Sequence, residues 1–206
     1  MTRKKFEAAW GKGVLTKAGM TAMQMMTAAV EGKLRALYIL DEDLVSGASD
    51  GSQVRRGLQN CEFVVVEGVF ESETSHSADV HLPGVTFAEK TGTFTNTKRR
   101  VQMVRQAIPP QGEARPDWKI IMELARRIKA DGAEGEHGAW DYADTSQIMA
   151  EVAALTPIYA GISHDRLEHG DCPHWPVKNV SHPGTPILSV ESFTGARCRF
   201  TPVEHD

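Results

Sequence analysis

Acidic side chains follow two apolar segments of this sequence at the points where a strand would end. Asp43 comes shortly after residues 34–40 (LRALYIL), and Glu67 comes directly after residues 63–66 (FVVV). Ligands of open parallel sheets bind beside the carboxyl ends of the strands, so both carboxylates are candidates for holding a ligand. Their separation of 24 residues is close to the ~20 that places an acidic group on a nucleotide ribose in dinucleotide folds. The glycine fingerprint of those folds is missing, which disfavours a nicotinamide dinucleotide.

Residues 78–118 form the block best suited to holding a charged small molecule. A short apolar stretch stops at Pro83 and leads to residues 89–96 (EKTGTFTN), a polar segment with a central glycine and both charge signs. Loops of this composition lie at the surface and often carry binding groups. The basic run at residues 98–100 (KRR) is expected to be solvated or to face the same ligand.

Strands and helices alternate through the first half of the chain and must position these side chains. Residues 34–40, 63–66 and 79–82 are predicted strands, and the β-branched run of the second is typical of a parallel strand buried on both faces. Helices are expected at residues 21–32 and around residues 53–58. The pattern predicts an α/β fold with a doubly wound, Rossmann-like and mostly parallel sheet, flanking helices and right-handed crossovers.

The second half of the chain is predicted to be helical and then extended. From Cys172 onward the sequence is rich in proline, histidine and glycine, which predicts an extended tail on the surface. We expect one domain over residues 1–135, and a helical and extended segment over residues 136–206 that packs on it. Helices are predicted at residues 116–128, 146–155 and 163–170.

Composition and charge exclude several classes of function. The formal net charge of −4 argues against a general nucleic-acid binder. No run approaches the ~20 apolar residues of a membrane-spanning helix. The amino terminus lacks the apolar segment of a secretory signal, so a cytoplasmic location is the expectation.

The sequence forms no recognised metal or nucleophile motif. The cysteines lie far apart without a C-x-x-C pair, which is typical of reduced thiols rather than of a zinc or iron–sulfur site. Histidines spaced by five do not form the i, i+4 pair of a zinc helix, and no Gly-x-Ser-x-Gly elbow occurs. We therefore predict neither a metal site nor a catalytic residue in this chain. The residues considered are Cys61, Cys172, Cys198, His164, His169 and His174.

Residues 78–83, 89–96 and 115–118 resemble the corresponding block of the molybdopterin-guanine-dinucleotide oxidoreductases, most closely the formate dehydrogenase catalytic subunit. The resemblance implies the family's cofactor-binding α/β domain, with a molybdopterin guanine dinucleotide carrying molybdenum or tungsten as the cofactor. It covers nearly all of the chain and continues through residues 157–162, 175–176, 182–185 and 196–200.

The resemblance assigns four cofactor-binding residues. The family's turn after the first strand places a nucleotide-contacting group on Asp43, and the family's dinucleotide-contacting lysine or histidine falls on Lys90. Asp117 matches the aspartate that holds the guanine, whose N1–H and exocyclic amine a carboxylate can accept together. Glu67 is expected to bind a ribose hydroxyl, while the aspartate that follows it in relatives is Gly68 here. The residues alone also allow two structural roles. Asp43 could be a solvated residue at a strand end, and Asp117 could be a first-turn residue that the helix dipole stabilises.

The implied enzyme oxidises formate to carbon dioxide in a two-electron reaction. Relatives carry an iron–sulfur cysteine cluster and a metal ligand before this region and a β-barrel after it. The chain is therefore expected to be an internal segment that is inactive alone. Its expected partners are the remaining portions of the catalytic subunit and an iron–sulfur electron-transfer subunit.

Two alternatives stay open. One is another member of the family, such as nitrate reductase. The other is a cofactor-free structural subunit related to the large subunit of NADH dehydrogenase. Loss of the family's proline at Leu44 and aspartate at Gly68 favours the structural subunit, whereas retention of Asp43, Lys90 and Asp117 argues against it.

Overall fold

The computed structural model describes residues 2–11, 17–130, 140–190 and 193, and these divide into two compact units. The first unit comprises Met1–Gly92 and Val104–Thr145, and the second comprises Thr93–Met103 and Ser146–Asp206. Each unit is described by itself.

The first unit contains three parallel strands, β1 (Ala36–Leu40), β2 (Phe63–Gly68) and β3 (Val80–Pro83). β2 lies between the other two, and Leu40, Glu67 and Leu82 are aligned across the sheet. Because all three strands run the same way, their carboxyl ends form one edge, which we call the rim. The side chains of Glu67 and its neighbours therefore meet at that rim.

The helices of this unit lie before, between and after the strands in the chain. They are α1 (Thr2–Trp10), α2 (Ala22–Val30), α3 (Leu44–Gly47) and α4 (Gly51–Asn60), with α5 (Asp117–Ala130) later in the chain. α2 packs on α4 at Gly57, where an added Cβ would lie 3.3 Å from the Cβ of Ala29. The apolar core beneath them consists of Ile39, Val45, Val54, Leu58, Val64 and Val66.

The predicted α/β fold with a parallel sheet is confirmed, although the second crossover differs from the expectation of a helix. Between β2 and β3 the described chain forms only one 3₁₀ turn, Ser75–Ser77. Ser72 and Ser75 explain this, because each hydroxyl accepts from the other residue's backbone N–H, at 3.1 Å and 2.7 Å. Such local bonds compete with helix formation. The strands follow in chain order, β1-β2-β3, so these three strands show no reversal of strand order of the doubly wound kind.

The second unit is built around a separate apolar cluster. Most of the two-stranded sheet β4 (Gly92–Thr95) and β5 (Val101–Val104) belongs to it, together with α6 (Thr145–Leu155) and α7 (His164–Glu168). The sequence predicted both helices, but residues 92–95 were expected to be loop. The cluster consists of Val101, Met149, Ile162, Leu167 and Val177.

Two arginines hold the proline-rich tail in this unit. Arg99 donates to the carbonyl oxygens of Thr185 and Pro186, at 2.9 and 2.8 Å, and Arg166 donates to those of Gly161 and His182, both at 2.9 Å. Proline-rich backbone leaves carbonyls unpaired, and guanidinium groups satisfy several at once. Arg99, from the basic run that was expected to be solvated or ligand-facing, therefore has a structural role.

The remaining expectations concern the tail, the domain boundary, the cysteines and membrane-spanning helices. The tail beyond residue 193, including Cys198, and the expected domain boundary near residue 135 lie outside the described residues. Cys61 and Cys172 are free thiols. None of the helices in the described ranges combines the length and apolar character needed to cross a membrane.

Candidate functional site

Glu67 is the buried centre of the rim. It is the second-last residue of β2 and is 0% exposed. The Tyr38 hydroxyl, from β1, donates to its Oε2, whereas its Oε1 is buried and has no hydrogen-bond partner among the described residues. An unpaired buried carboxylate oxygen costs free energy, and such a group calls for a donor from a ligand or water.

Asp117 and Lys90 lie close enough to this carboxyl group for their charges to act on it. Arg115 donates its backbone N–H to the Pro83 carbonyl at 3.1 Å, which brings the start of α5 to the end of β3. Lys90 Nζ donates to Asp117 Oδ2, and the two side chains are only 18% and 19% exposed. Asp117 Oδ1 is buried without a partner among the described residues.

The buried carboxylate of Glu89 fixes the segment before Lys90. Its Oε2 accepts from the backbone N–H of Thr86 at 2.9 Å, and its Oε1 accepts from that of Gln111 at 3.0 Å. The Thr86 bond is part of a capping box around the 3₁₀ turn Phe87–Glu89, after which Lys90 is extended. This hydrogen-bonded turn therefore positions Lys90 at the rim.

Gly84 leaves room for the Asp117 carboxylate. A Cβ at this position would lie 3.1 Å from Asp117 Oδ1, and the Gly84 N–H donates to the Gly68 carbonyl at 3.0 Å. The close approach of backbone and carboxylate therefore favours glycine, because any larger residue would push Asp117 away from the rim.

Asp41 completes a cluster of three carboxylates with one cation. It follows β1 directly, and its φ of 51° is left-handed, a conformation in which aspartate is enriched among non-glycine residues. Burial, followed by the charge of Asp117, raises its pKa. Asp41 was not among the predicted site residues. Its position directly after the first predicted strand is the sequence feature that could have indicated a place at the rim.

Burial dominates the electrostatics of Glu67. It raises the pKa of the carboxyl group, and the charges of Asp117 and Asp41 act in the same direction against the Tyr38 hydrogen bond and Lys90. Burial also raises the pKa of Tyr38, with Glu67 adding to the effect. The rim therefore favours a ligand that donates hydrogen bonds.

Asp43, by contrast, is engaged in local structure. It is the N-cap of α3, and its Oδ1 accepts from the Ser46 N–H at 3.3 Å and from the Thr74 N–H and hydroxyl at 3.2 and 2.6 Å. The Thr74 bond is the main cause that lowers the pKa of Asp43 to about 2. The structure thus brings Glu67, Lys90 and Asp117 together, while a nucleotide contact by Asp43 stays a prediction.

Two open grooves lie along α5, beside the rim. The larger, about 800 Å³, is lined by Arg115, Lys119, Arg126 and Arg127 among others. The smaller, about 340 Å³, runs along Leu82, Pro83, Ile120 and Leu124. Among the groups the structure describes, no three or more His, Cys, Asp and Glu side chains are arranged to hold a metal ion.

Comparisons with known proteins agree on one family. A family model described as molybdopterin oxidoreductase matches residues 9–127. A Bacillus subtilis protein named "Probable oxidoreductase YjgC" is 39% identical over 191 residues, which are 93% of this chain and 18% of that protein. A Staphylococcus aureus protein named "Putative formate dehydrogenase SAB2186c" is 38% identical over 209 residues, covering 99% of this chain and 20% of the relative. The chain thus spans only about a fifth of the length of these relatives.

A solved structure supports the fold. Acetylene hydratase from Pelobacter acetylenicus matches with a TM-score of 0.57 and 22% identity, over 82% of this chain and 23% of that one. At this identity the likeness concerns the fold alone.

The raised pKa of Glu67 predicts a pH-dependent effect of Glu67→Gln. The stabilisation from the bound proton is complete below the unfolded pKa of about 4.3 and is lost as pH rises through the higher folded pKa. Glutamine cannot ionise, so the free energy of unfolding of the variant, relative to the parent, should rise from about pH 4 to about pH 8, by about 1.4 kcal/mol per pKa unit of difference.

Urea denaturation at the two pH values measures this change. Glu62→Gln is the matched control, because Arg35 lowers the pKa of Glu62 and the expected change has the opposite sign. An effect of Glu67→Gln that is equal at both pH values would contradict the assigned environment.

Thr74→Val should destabilise the turn that holds Asp43. The variant loses the 3.0 Å bond from the Val45 N–H to the Thr74 hydroxyl and the hydroxyl's bond to Asp43, and it leaves a buried N–H unpaired. The expected loss is about 1–3 kcal/mol of unfolding free energy, measured by urea denaturation. Thr74→Ser keeps the hydroxyl and should lose about 1 kcal/mol or less. Equal losses in both variants would show that the hydroxyl is unimportant.

Proposed function

The chain belongs to the molybdopterin oxidoreductase family, and from this premise we propose that its first unit binds the guanosine-diphosphate end of a molybdopterin guanine dinucleotide. The observation that carries the proposal is the pair of buried oxygens, Asp117 Oδ1 and Glu67 Oε1, neither of which has a hydrogen-bond partner in the described part of the chain. Guanine presents two N–H donors on one edge, and ribose presents hydroxyl donors. The acceptors at the rim fit such a ligand.

Asp117 would recognise the base. A carboxylate has about four lone-pair sites, so Oδ2 can keep its bond from Lys90 while the carboxylate accepts from N1–H and the exocyclic amine. Adenine has no N1–H and would offer a poorer match. Lys90 would hold the carboxylate in a fixed orientation through its bond to Oδ2.

Glu67 would contact a ribose hydroxyl through Oε1, with Tyr38 orienting the carboxyl group through Oε2. This role uses the carboxyl group in either protonation state, because the protonated form can donate and the ionised form can accept. Gly84 would let the ligand and the Asp117 carboxylate approach the backbone closely.

The reaction proposed for the whole enzyme is the two-electron oxidation of formate to carbon dioxide, as the names of relatives suggest. When bound, the cofactor supplies the redox chemistry through its molybdenum or tungsten, and the residues of this chain bind and orient its nucleotide end. The remaining portions of a catalytic subunit and an iron–sulfur protein are the proposed partners.

A structural role without cofactor is the second candidate. The engagement of Asp43 with Thr74 favours it, because a nucleotide-contacting carboxylate would then already be used for capping. Binding of a guanine nucleotide separates the two candidates.

Asp117→Asn should weaken binding of GDP by about 1.5–3 kcal/mol, roughly 10- to 150-fold in Kd, because an amide cannot accept two donors as a carboxylate does. Titration calorimetry with GDP and ADP on the full chain measures the affinity and the preference for guanine. Asp165→Asn, an exposed aspartate in the first turn of α7, should leave binding unchanged. Unchanged affinity of the Asp117 variant, or no GDP binding by the parent, would reject this function in favour of the structural role.

The substrate is tested in the complete enzyme that contains this segment. With an artificial electron acceptor, we expect oxidation of formate and no reduction of nitrate by the reduced form of the same dye. Turnover of nitrate instead would reassign the reaction within the family.

A further inference from the structure

We propose that the space beside Gly68, lined by Asp41 and His81, is a subsite for a hydroxyl group of the ribonucleotide. This inference rests on the proposed function and deepens it, because it names residues that neither the motif nor the comparisons assign. The subsite lies at the rim, one residue after Glu67.

The observation that carries the proposal is an arrangement of polar atoms around Gly68, which has no side chain. A Cβ built on Gly68 would have Asp41 Oδ1, His81 Nε2 and the carbonyl oxygen of Phe70 as its three nearest neighbours, each 3.9 Å away. These distances are ordinary van der Waals contacts, so a methyl group would fit here without a clash, and the glycine leaves room for about one such group. Polar atoms of three separate segments surround that space.

His81 Nε2 is buried and has no hydrogen-bond partner among the described residues. Five side-chain atoms share that property there, and three of them belong to Glu67, His81 and Asp117 at the rim. Buried polar atoms are nearly always paired in native proteins. Their concentration at one edge of the sheet indicates that a ligand group completes their bonding.

The chemistry of the space selects a small donor. The Phe70 carbonyl and the Asp41 carboxylate are acceptors, and an imidazole nitrogen can accept or donate. The volume of one absent side chain suits a hydroxyl and not a ring or a phosphate, and an anion would be repelled by Asp41. A ribose carries two adjacent hydroxyls, so Glu67 and this space can each take one.

Gly68→Ala tests the proposal with a single methyl group. The nearest atoms are 3.9 Å from the added Cβ, so the variant should fold with unchanged stability, but the methyl occupies the space meant for the hydroxyl. We expect the parent to bind GDP about 100-fold more tightly than 2′,3′-dideoxy-GDP, as for loss of two hydrogen bonds, one to Glu67 and one in this space, and we expect this ratio to fall about tenfold in the variant. Gly47→Ala, whose Cβ would meet Glu42 at 3.8 Å, is the matched control and should keep the ratio.

His81→Leu provides a second measurement. It removes a buried polar atom that has no partner in the ranges the structure describes, so thermal stability should stay equal or rise while the preference for GDP over the dideoxy nucleotide falls. His76→Leu, an exposed histidine in the same unit, should change neither quantity. A histidine with only a structural role would instead lower stability and leave the ratio unchanged.

The outcomes separate this proposal from the function on which it rests. GDP binding that depends on Asp117, with a ratio unaltered by Gly68→Ala and His81→Leu, overturns the subsite alone and leaves the space to a buried water. Absence of GDP binding in the parent overturns both. A ratio near one in the parent protein also overturns the subsite, because no ribose hydroxyl would then be recognised.

Discussion

The site depends on the burial of the Glu67 carboxyl group at the end of the central strand. A carboxyl group in the interior is costly unless hydrogen bonds and opposite charge compensate for it. Tyr38 satisfies one oxygen, Lys90 supplies a nearby positive charge, and two further carboxylates, Asp41 and Asp117, oppose ionisation. The compensation is incomplete because the second oxygen of Glu67 has no partner among the described residues. The proposed ligand would supply a hydrogen-bond donor to this oxygen.

The local sequence pattern was sufficient to predict the three strands that form this rim. The predicted strands agree with the observed ones within two residues, because buried parallel strands carry apolar runs bounded by polar turns. The pattern did not predict the strand Gly92–Thr95, which is polar and exists through pairing with Val101–Val104. Nor did it predict the short second crossover, where serine hydroxyls compete with helix formation. Tertiary pairing and side-chain bonding to the backbone decide such segments.

Motif comparison identified Lys90 and Asp117 separately but could not show that they form a pair. Their contact spans 27 residues and depends on a backbone bond to Pro83 and on the capping box of Glu89, neither of which is a local pattern. The motif also placed a contact on Asp43, whose carboxylate caps a helix, while Asp41 lies within the electrostatic reach of Glu67. A turn sequence gives the types of its residues but does not give the direction of each side chain. The left-handed backbone at Asp41 is a three-dimensional feature of this kind.

Incomplete compensation at the rim couples ligand binding to the stability of the first unit. Each buried polar atom without a partner raises the free energy of the folded state. A ligand that binds only the folded state lowers that free energy by RT ln(1 + [L]/Kd). Gly68 and Gly84 lie beside these polar atoms, because a Cβ at Gly68 would be 3.9 Å from Asp41 Oδ1 and His81 Nε2, and one at Gly84 would be 3.1 Å from Asp117 Oδ1. A side chain at Gly68 would take the room that a donor could use, and one at Gly84 would displace the Asp117 carboxylate. The rim residues that raise the free energy of the folded, ligand-free protein are therefore the residues that would recognise a nucleotide.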